Sequence, residues 1–385
     1  MPKTIAEINE KIARKTVKVV RADHMSRLVR ELGPEKAAEN VDVVTTGTFG
    51  PMCSSGVWLN FGHSEPPIKM TRVRLNGVEA YAGAAAVDAY LGATQLSASR
   101  GVRYGGAHVI EDFLRGRPVI LQAVSPGTDC YPRKRLLTVL TLNDLNTALL
   151  SNPRNGYQRY NAAANSSSRT LHTYMGTLRP RLGNVTYAGA GSLSPLSNDP
   201  DYRTIGLGTR ILLGGAEGFV TGPGTQHDPQ NGFGTMAVQG DLKRMSPDFL
   251  RAALFPGYGC TLCIGLGVPI PILDADSARR AAVSDAEIAV TIRDFGLPSR
   301  DRPALRSVTY AELRSGRVRL GGRIVPALPL SSLVLSRRIA DELQRRIEAG
   351  TFLLTAPVVP LPAESVVRPL EIRRPKTSAP GEHHG

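Results

Sequence analysis

Four cysteines are the residues of this chain best suited to covalent chemistry. Cys53 stands in TGTFGPMCSSG, after the β-branched run 41–45 and among Gly47, Gly50 and Gly56. Glycines let backbone N–H groups turn inward as a nest, and such a nest lowers a thiol pKa by stabilising thiolate. The alternative is a small buried hydrophobe, the usual state of a free cysteine. Cys130 stands in GTDCYPRK, directly after the apolar run 119–124. Arg133, Lys134 and Arg135 follow it, and cations favour the nucleophilic thiolate. Asp129 opposes that effect or accepts a proton. The alternative is a loop cysteine beside a solvated basic patch. Cys260 and Cys263 form a C-x-x-C, which reads as a redox pair or half a zinc site. No second C-x-x-C or paired histidines supply further zinc ligands, and GLGVPIPIL after it cannot form the helix of a thioredoxin-type motif. Two buried small residues beside Gly turns are expected there, and no metal site.

Acid–base candidates lie in other loops. GPGTQHD ends in His227 and Asp228, a potential proton-transfer pair in a Gly-rich segment. FGHSEPP places His63 near Glu65. The stretch GLGTRI is not G-x-G-x-x-G and opens no helix, which excludes a dinucleotide fold. Asp199 and Asp201 in LSPLSNDPDYR read as turn chemistry set by Asn198 and Asp199.

The elements that must position these residues are short. Apolar spacing of three and four predicts helices over 4–38, 106–114 and 331–349. Weaker signals predict helices over 85–91, 143–150, 247–254 and 284–295, the last with Ser284 and Glu287 as a capping box. Strands are expected over 41–45, 57–62, 69–75, 119–124 and 136–142. Asn76-Gly77 is a hairpin turn signal. Residues 151–170 are polar and read as a surface excursion. Residues 185–240 read as short strands between Gly turns, and 259–273 as a buried Gly/Pro-rich stretch. The fold class expected is α/β in the mixed α+β sense: short strands in mixed sheets, flanking helices, and the site on Gly/Pro-rich loops. The whole of 1–362 reads as one large domain, with room for two lobes. Residues 363–385 read as a Pro-rich basic tail, disordered from 375.

Composition limits the function. The chain has 385 residues, 42% hydrophobic and 21% charged, enough for a sizeable core without staples. Lys+Arg 47 against Asp+Glu 33 gives a net charge of +14, which attracts anions or an acidic partner. Aromatics are only 5%, too few for the stacking platforms of single-strand binders, so nucleic acid is not expected. The longest uncharged candidate, 257–273, is Gly/Pro-broken and short of the roughly 20 apolar residues a membrane span needs. The N-terminus has no apolar signal-peptide region, so a cytoplasmic location is expected. Four cysteines are too sparse for a disulfide framework and should matter by reactivity.

GTFGPMCSSG, VRYGGAHVIEDFLRGRPV, GTDCYPRK, LSPLSNDPDYRTIGLGTRILLGGAEGFV, GTQHDP, QGDLKRMSP and GLGVPIPIL occur in this order. Together they resemble the homocysteine biosynthesis family, over residues 5–362. The resemblance implies conversion of L-aspartate semialdehyde and sulfide, with two electrons, to L-homocysteine. The family's two functional cysteines fall on Cys53 and Cys130, while Cys260 and Cys263 are outside its pattern. It implies a persulfide on Cys130 and a Cys53–Cys130 disulfide, which needs Cα atoms within about 7 Å. Arg133 or Arg210 would hold the substrate carboxylate, with Asp129 and His63 beside it, and His227 would move protons at the carbonyl oxygen. No cofactor is expected in this chain. Electrons would come from a ferredoxin-like iron–sulfur protein, whose usual acidity suits a basic partner. Many members end in paired cystathionine-β-synthase-type modules. This chain ends in a Pro-rich tail, so adenine-nucleotide control within it is not expected. A homo-oligomer is left open. Two other classes use the same composition: a thiol-disulfide oxidoreductase or sulfur carrier acting on another substrate, and a basic non-catalytic binding protein. Thiol alkylation separates them, since only the binding protein survives it.

Overall fold

The computed structural model describes residues 2–157, 161–198, 203–365 and 367–373. The turn expected at Asp199 and Asp201 and the disorder expected from 375 lie outside the described residues. Two bodies of strands carry the chain. The larger is a 15-stranded sheet with Arg135–Leu140 at one edge and Leu250–Phe255 at the other. The smaller is a six-stranded mixed sheet in which Asn161–Ala164 pairs parallel with Ala289–Asp294, and Val185–Tyr187 pairs parallel with Arg323–Pro329. Each has its own core. Val57, Leu75, Ile110, Phe113, Leu121 and Val238 belong to the first; Val185, Val290, Ile292, Leu313 and Val325 belong to the second.

The α/β reading in its mixed α+β form holds. The hairpin at Asn76-Gly77 forms, both residues having positive φ between paired Leu75 and Val78. The strand Val119–Val124 and the helix Gly106–Leu114 fall where the apolar pattern places them. So does the helix Leu333–Glu348, capped by Ser332 and burying Ile339, Leu343 and Ile347 at four-residue steps.

Several expected helices are strands instead. Residues 88–92 and 250–255 are both strands, and 143–150 divides into a 3-10 turn and the start of the strand Thr147–Gly156. At 284–295 the capping box does form, Ser284 N–H and hydroxyl both donating to Glu287. The chain then turns into the strand Ala289–Asp294, because Val290, Thr291 and Ile292 fit a pleated surface beside Asn161–Ala164. The expected helix 4–38 is broken in the same way: Val19–Arg21 pairs with Val43–Thr45, splitting it into Ile5–Ala13, Ala22–Leu32 and Pro34–Asn40.

Candidate functional site: a thiol cavity between two sheets

Cys53 sits in a turn, Met52–Ser55, closed by Ser55 N–H donating to Met52 O at 3.0 Å. The strand Thr48–Pro51 leads into it and Gly56–Asn60 leaves it. The neighbouring strand Thr147–Gly156 pins the turn. Asn152 accepts from the Ser54 hydroxyl at 3.3 Å and donates to Ser55 Oγ at 3.1 Å. That strand bulges between Asn152 and Asn155, and a bulge re-aims the side chains it carries. Arg154 lies within it. Its Nε donates to Thr225 Oγ1 at 2.9 Å, and among the described residues no carboxylate pairs with it.

Cys53 and Arg154 line one cavity of about 470 Å³, a size suited to a small metabolite. Cys53, Ser54, Arg154 and Tyr258 come from the larger sheet and its loops; Tyr174, Met175, Gly189 and Ser331 come from the smaller sheet and its connections. Ser331 directly precedes the N-cap of Leu333–Glu348, and a helix N-terminus favours negative charge near it. Thr261 donates its hydroxyl to Cys53 Sγ at 3.2 Å. Burial pushes the Cys53 thiol above its ordinary value, and the Thr261 bond offsets only part of this. Burial, then the charge of a Cys53 thiolate, pushes Tyr258 up as well, which keeps a phenolic proton beside the sulfur. The expected thiolate nest is thus corrected. Gly47 and Gly50 serve close packing: a Cβ on Gly47 would meet Ser336 O at 2.0 Å, and one on Gly50 would meet Ser331 Oγ at 2.6 Å.

Cys130 lies elsewhere. It is exposed in the turn Thr128–Tyr131 at the tip of the hairpin formed by Val119–Val124 and Arg135–Leu140. It lines an open depression with His63, Ser64, Glu65, Pro67 and Tyr131, and His63 stacks on Tyr131 at 5.9 Å. Arg133 donates to Pro66 O at 2.9 Å and also to Glu65 O, so its guanidinium clamps the two loops together. Asp129 is exposed on the same tip.

The two thiols flank one strand. Cys53 precedes Gly56 and His63 follows Asn60, and the strand between them spans four steps of about 3.3 Å, roughly 13 Å. The expected Cys53–Cys130 disulfide is not formed in this structure: both thiols are free and line separate hollows, Cys53 in the cavity and Cys130 in the depression at His63.

Two other expected roles do not fit their positions. His227 is buried behind Tyr157, the rings 6.1 Å apart. Its Nδ1 accepts from Thr235 N–H at 3.0 Å, which leaves the proton on Nε2, donating to Pro362 O at 2.9 Å. Both nitrogens are spent on backbone, so His227 fastens the segment at 362 and does not face the cavity. Arg210 lies over Phe352, 5.7 Å from the ring centroid, with Glu217 at 3.9 Å, and lines neither thiol's surroundings. Cys260 meets its expectation: it is buried, its Sγ donating to Ala93 O at 3.2 Å. Among the described residues no three His, Cys, Asp or Glu side chains converge as a metal site, and no helix is long and apolar enough to cross a membrane.

A model described as homocysteine biosynthesis enzyme, sulfur-incorporation, matches residues 17–354. The chain belongs to this family. It is a sulfur-transferring enzyme of homocysteine biosynthesis. A protein of Methanosarcina acetivorans named L-aspartate semialdehyde sulfurtransferase is 57% identical over 96% of this chain and 74% of its own length. One of the same name from Methanocaldococcus jannaschii is 52% identical over 92% of this chain and 72% of its own. No solved structure matches. Sequence reasoning singled out Cys53 of the cavity lining but not Arg154 or Tyr258, which line it as well. The flanking glycines of Gly257-Tyr258-Gly259 were a signal for Tyr258. Arg154 had none, because its segment reads as solvated loop until the bulge is seen.

Proposed function

We propose that the protein makes L-homocysteine from L-aspartate semialdehyde and sulfide, with the carbon–sulfur chemistry in the cavity at Cys53. The observation that carries this reading is one thiol and one arginine, without a carboxylate partner among the described residues, lining the same small cavity. Arg154 takes the substrate's α-carboxylate in a bidentate pair, held in place by Thr225. Hydrogen sulfide adds to the aldehyde carbon, and water leaves with a proton from Tyr258, which takes the S–H proton in return, giving a thioaldehyde. The Cys53 sulfur bonds to the thioaldehyde sulfur while its proton goes to carbon, forming a mixed disulfide. A second thiol then frees homocysteine. The sum is aldehyde, hydrogen sulfide, two electrons and two protons to thiol and water.

Cys130 has a separate task in this reading. Exposed on its hairpin, it accepts sulfane sulfur from a donor as a persulfide. Two electrons and two protons release that sulfur as hydrogen sulfide for the cavity. Electrons come from a separate ferredoxin-like iron–sulfur protein, and the +14 charge of this chain supports an acidic donor. Free thiols that cycle in this way belong in a reducing cytoplasm. A homo-oligomer is compatible with the scheme but not required by it. The test is aldehyde, sulfide and a strong reductant with the purified chain. Homocysteine formation supports the reading, and its absence with folded, reduced protein overturns it.

A further inference from the structure

The strand Gly259–Gly267 presents its two cysteines to opposite faces, as residues three apart in a strand must be. Cys260 faces the core, packed so closely that a Cβ on Gly105 would lie 2.3 Å from its Sγ. Cys263 shares the other face with Thr261. Strand Thr48–Pro51 runs antiparallel alongside, with Pro51 opposite Cys263 and Gly50 opposite Ile264. Met52 N–H donates to Leu262 O at 2.8 Å, so the ladder continues one step beyond the strand. The same register sets Cys53 opposite Thr261, and the 3.2 Å bond between them shows that Cys53 Sγ points to that face. Cys53 and Cys263 are therefore diagonal neighbours on one face of the sheet. Diagonal Cα atoms lie about 7–8 Å apart, with Cβ atoms closer. A disulfide accepts Cα separations to about 6.8 Å. The remaining shift is about 1 Å, and Cys53 sits in a turn that can supply it.

We propose that Cys263 is the resolving thiol for Cys53. The proposal rests on Cys53 being the thiol that bonds the substrate sulfur. Cys263 attacks Cys53 Sγ in the mixed disulfide. The bond from Cys53 to the substrate sulfur breaks, homocysteine leaves as a thiolate, and the proton released by Cys263 neutralises it. Both electrons of the reduction have then come from the two cysteines, which remain as a Cys53–Cys263 disulfide. An external dithiol or the iron–sulfur donor restores it with two electrons and two protons. Burial, then the charges of Cys53 and Glu111, push the resting Cys263 up to about 12.

The test uses the full chain, reduced and then freed of reductant. Diamide is added, free thiols are blocked and peptides are mapped. Cys53 joined to Cys263, reversed by dithiothreitol, is expected; Cys53 joined to Cys130 or to a second chain overturns the proposal. A single turnover with aldehyde and sulfide follows, without reductant. Wild type should release homocysteine, whereas Cys263→Ser should hold it on Cys53 until dithiothreitol is added, lowering early release by roughly tenfold or more. Release by Cys263→Ser at the wild-type rate also overturns the proposal and leaves the role of Cys53 intact. Homocysteine from Cys53→Ser would instead remove the reading on which it rests.

Discussion

The surroundings of Cys53 and Cys130 differ in nearly every physical respect. Cys53 is half-buried between two sheets, in a turn held by Asn152, with an arginine, a tyrosine and another cysteine around it. Cys130 is exposed on a hairpin tip, where Arg133 serves as a clamp between loops. A cavity that fixes its groups suits bond formation to a small substrate. An exposed tip suits exchange with another macromolecule. In the proposed scheme one thiol does the carbon chemistry and the other serves sulfur supply.

The largest expected effect separates the two directly. Cys53→Ser should lower homocysteine formation roughly a thousandfold or more from any sulfur source, because a serine hydroxyl cannot form the mixed disulfide. Cys130→Ser should be equally impaired with a persulfide donor, yet within about threefold of wild type with free sulfide. Equal loss in Cys130→Ser with free sulfide would end the division of labour. Arg154→Lys comes next. It should raise the KM for the aldehyde about tenfold, or roughly 1.4 kcal/mol, because an ammonium cannot replace the fork. Arg210→Lys should leave KM unchanged, and steady-state kinetics on both variants decides. The smallest effect is in reactivity towards pH. Alkylation needs the thiolate, and burial holds the Cys53 proton beyond its ordinary value near 9. Iodoacetamide should therefore reach Cys130 first, with the Cys53 rate still rising past pH 9. A Cys53 rate already level at about pH 8 would contradict this. The linked stability has the same sign: it is present below the unfolded thiol pKa of about 8.5 and lost as pH rises above it.

How much of this was legible in the chain depends on how local the signal is. Asn76-Gly77 and the Ser332-capped helix are set by neighbouring residues and appear where their patterns put them. The Ser284–Glu287 capping box is equally local and forms, yet the residues after it join a sheet whose partner strand, Asn161–Ala164, lies far back in the chain. Cys53 and Cys130 were marked by their loops. His227 beside Asp228 carried the same mark and proved structural, because only the fold brings Thr235 and Pro362 to its two nitrogens. Gly47 and Gly50 suggested a nest from sequence, whereas the reason for them, the start of the helix Leu333–Glu348, is non-local. Cys263 was set aside for the lack of a helix after the C-x-x-C. Its proposed partner, Cys53, lies in a turn just past another strand, where spacing along the chain says nothing.

The most direct test of the central claim is the location of the product before it leaves. Cys263→Ser protein, in which the product should stay bound, is stripped of reductant, given labelled sulfide and aldehyde, quenched in acid within one turnover, and digested under conditions that preserve disulfides. Homocysteine attached to the peptide carrying Cys53, and none on the peptide carrying Cys130, is the predicted result. Homocysteine attached to Cys130, with Cys53 unmodified, would place the carbon chemistry on the hairpin and contradict the account.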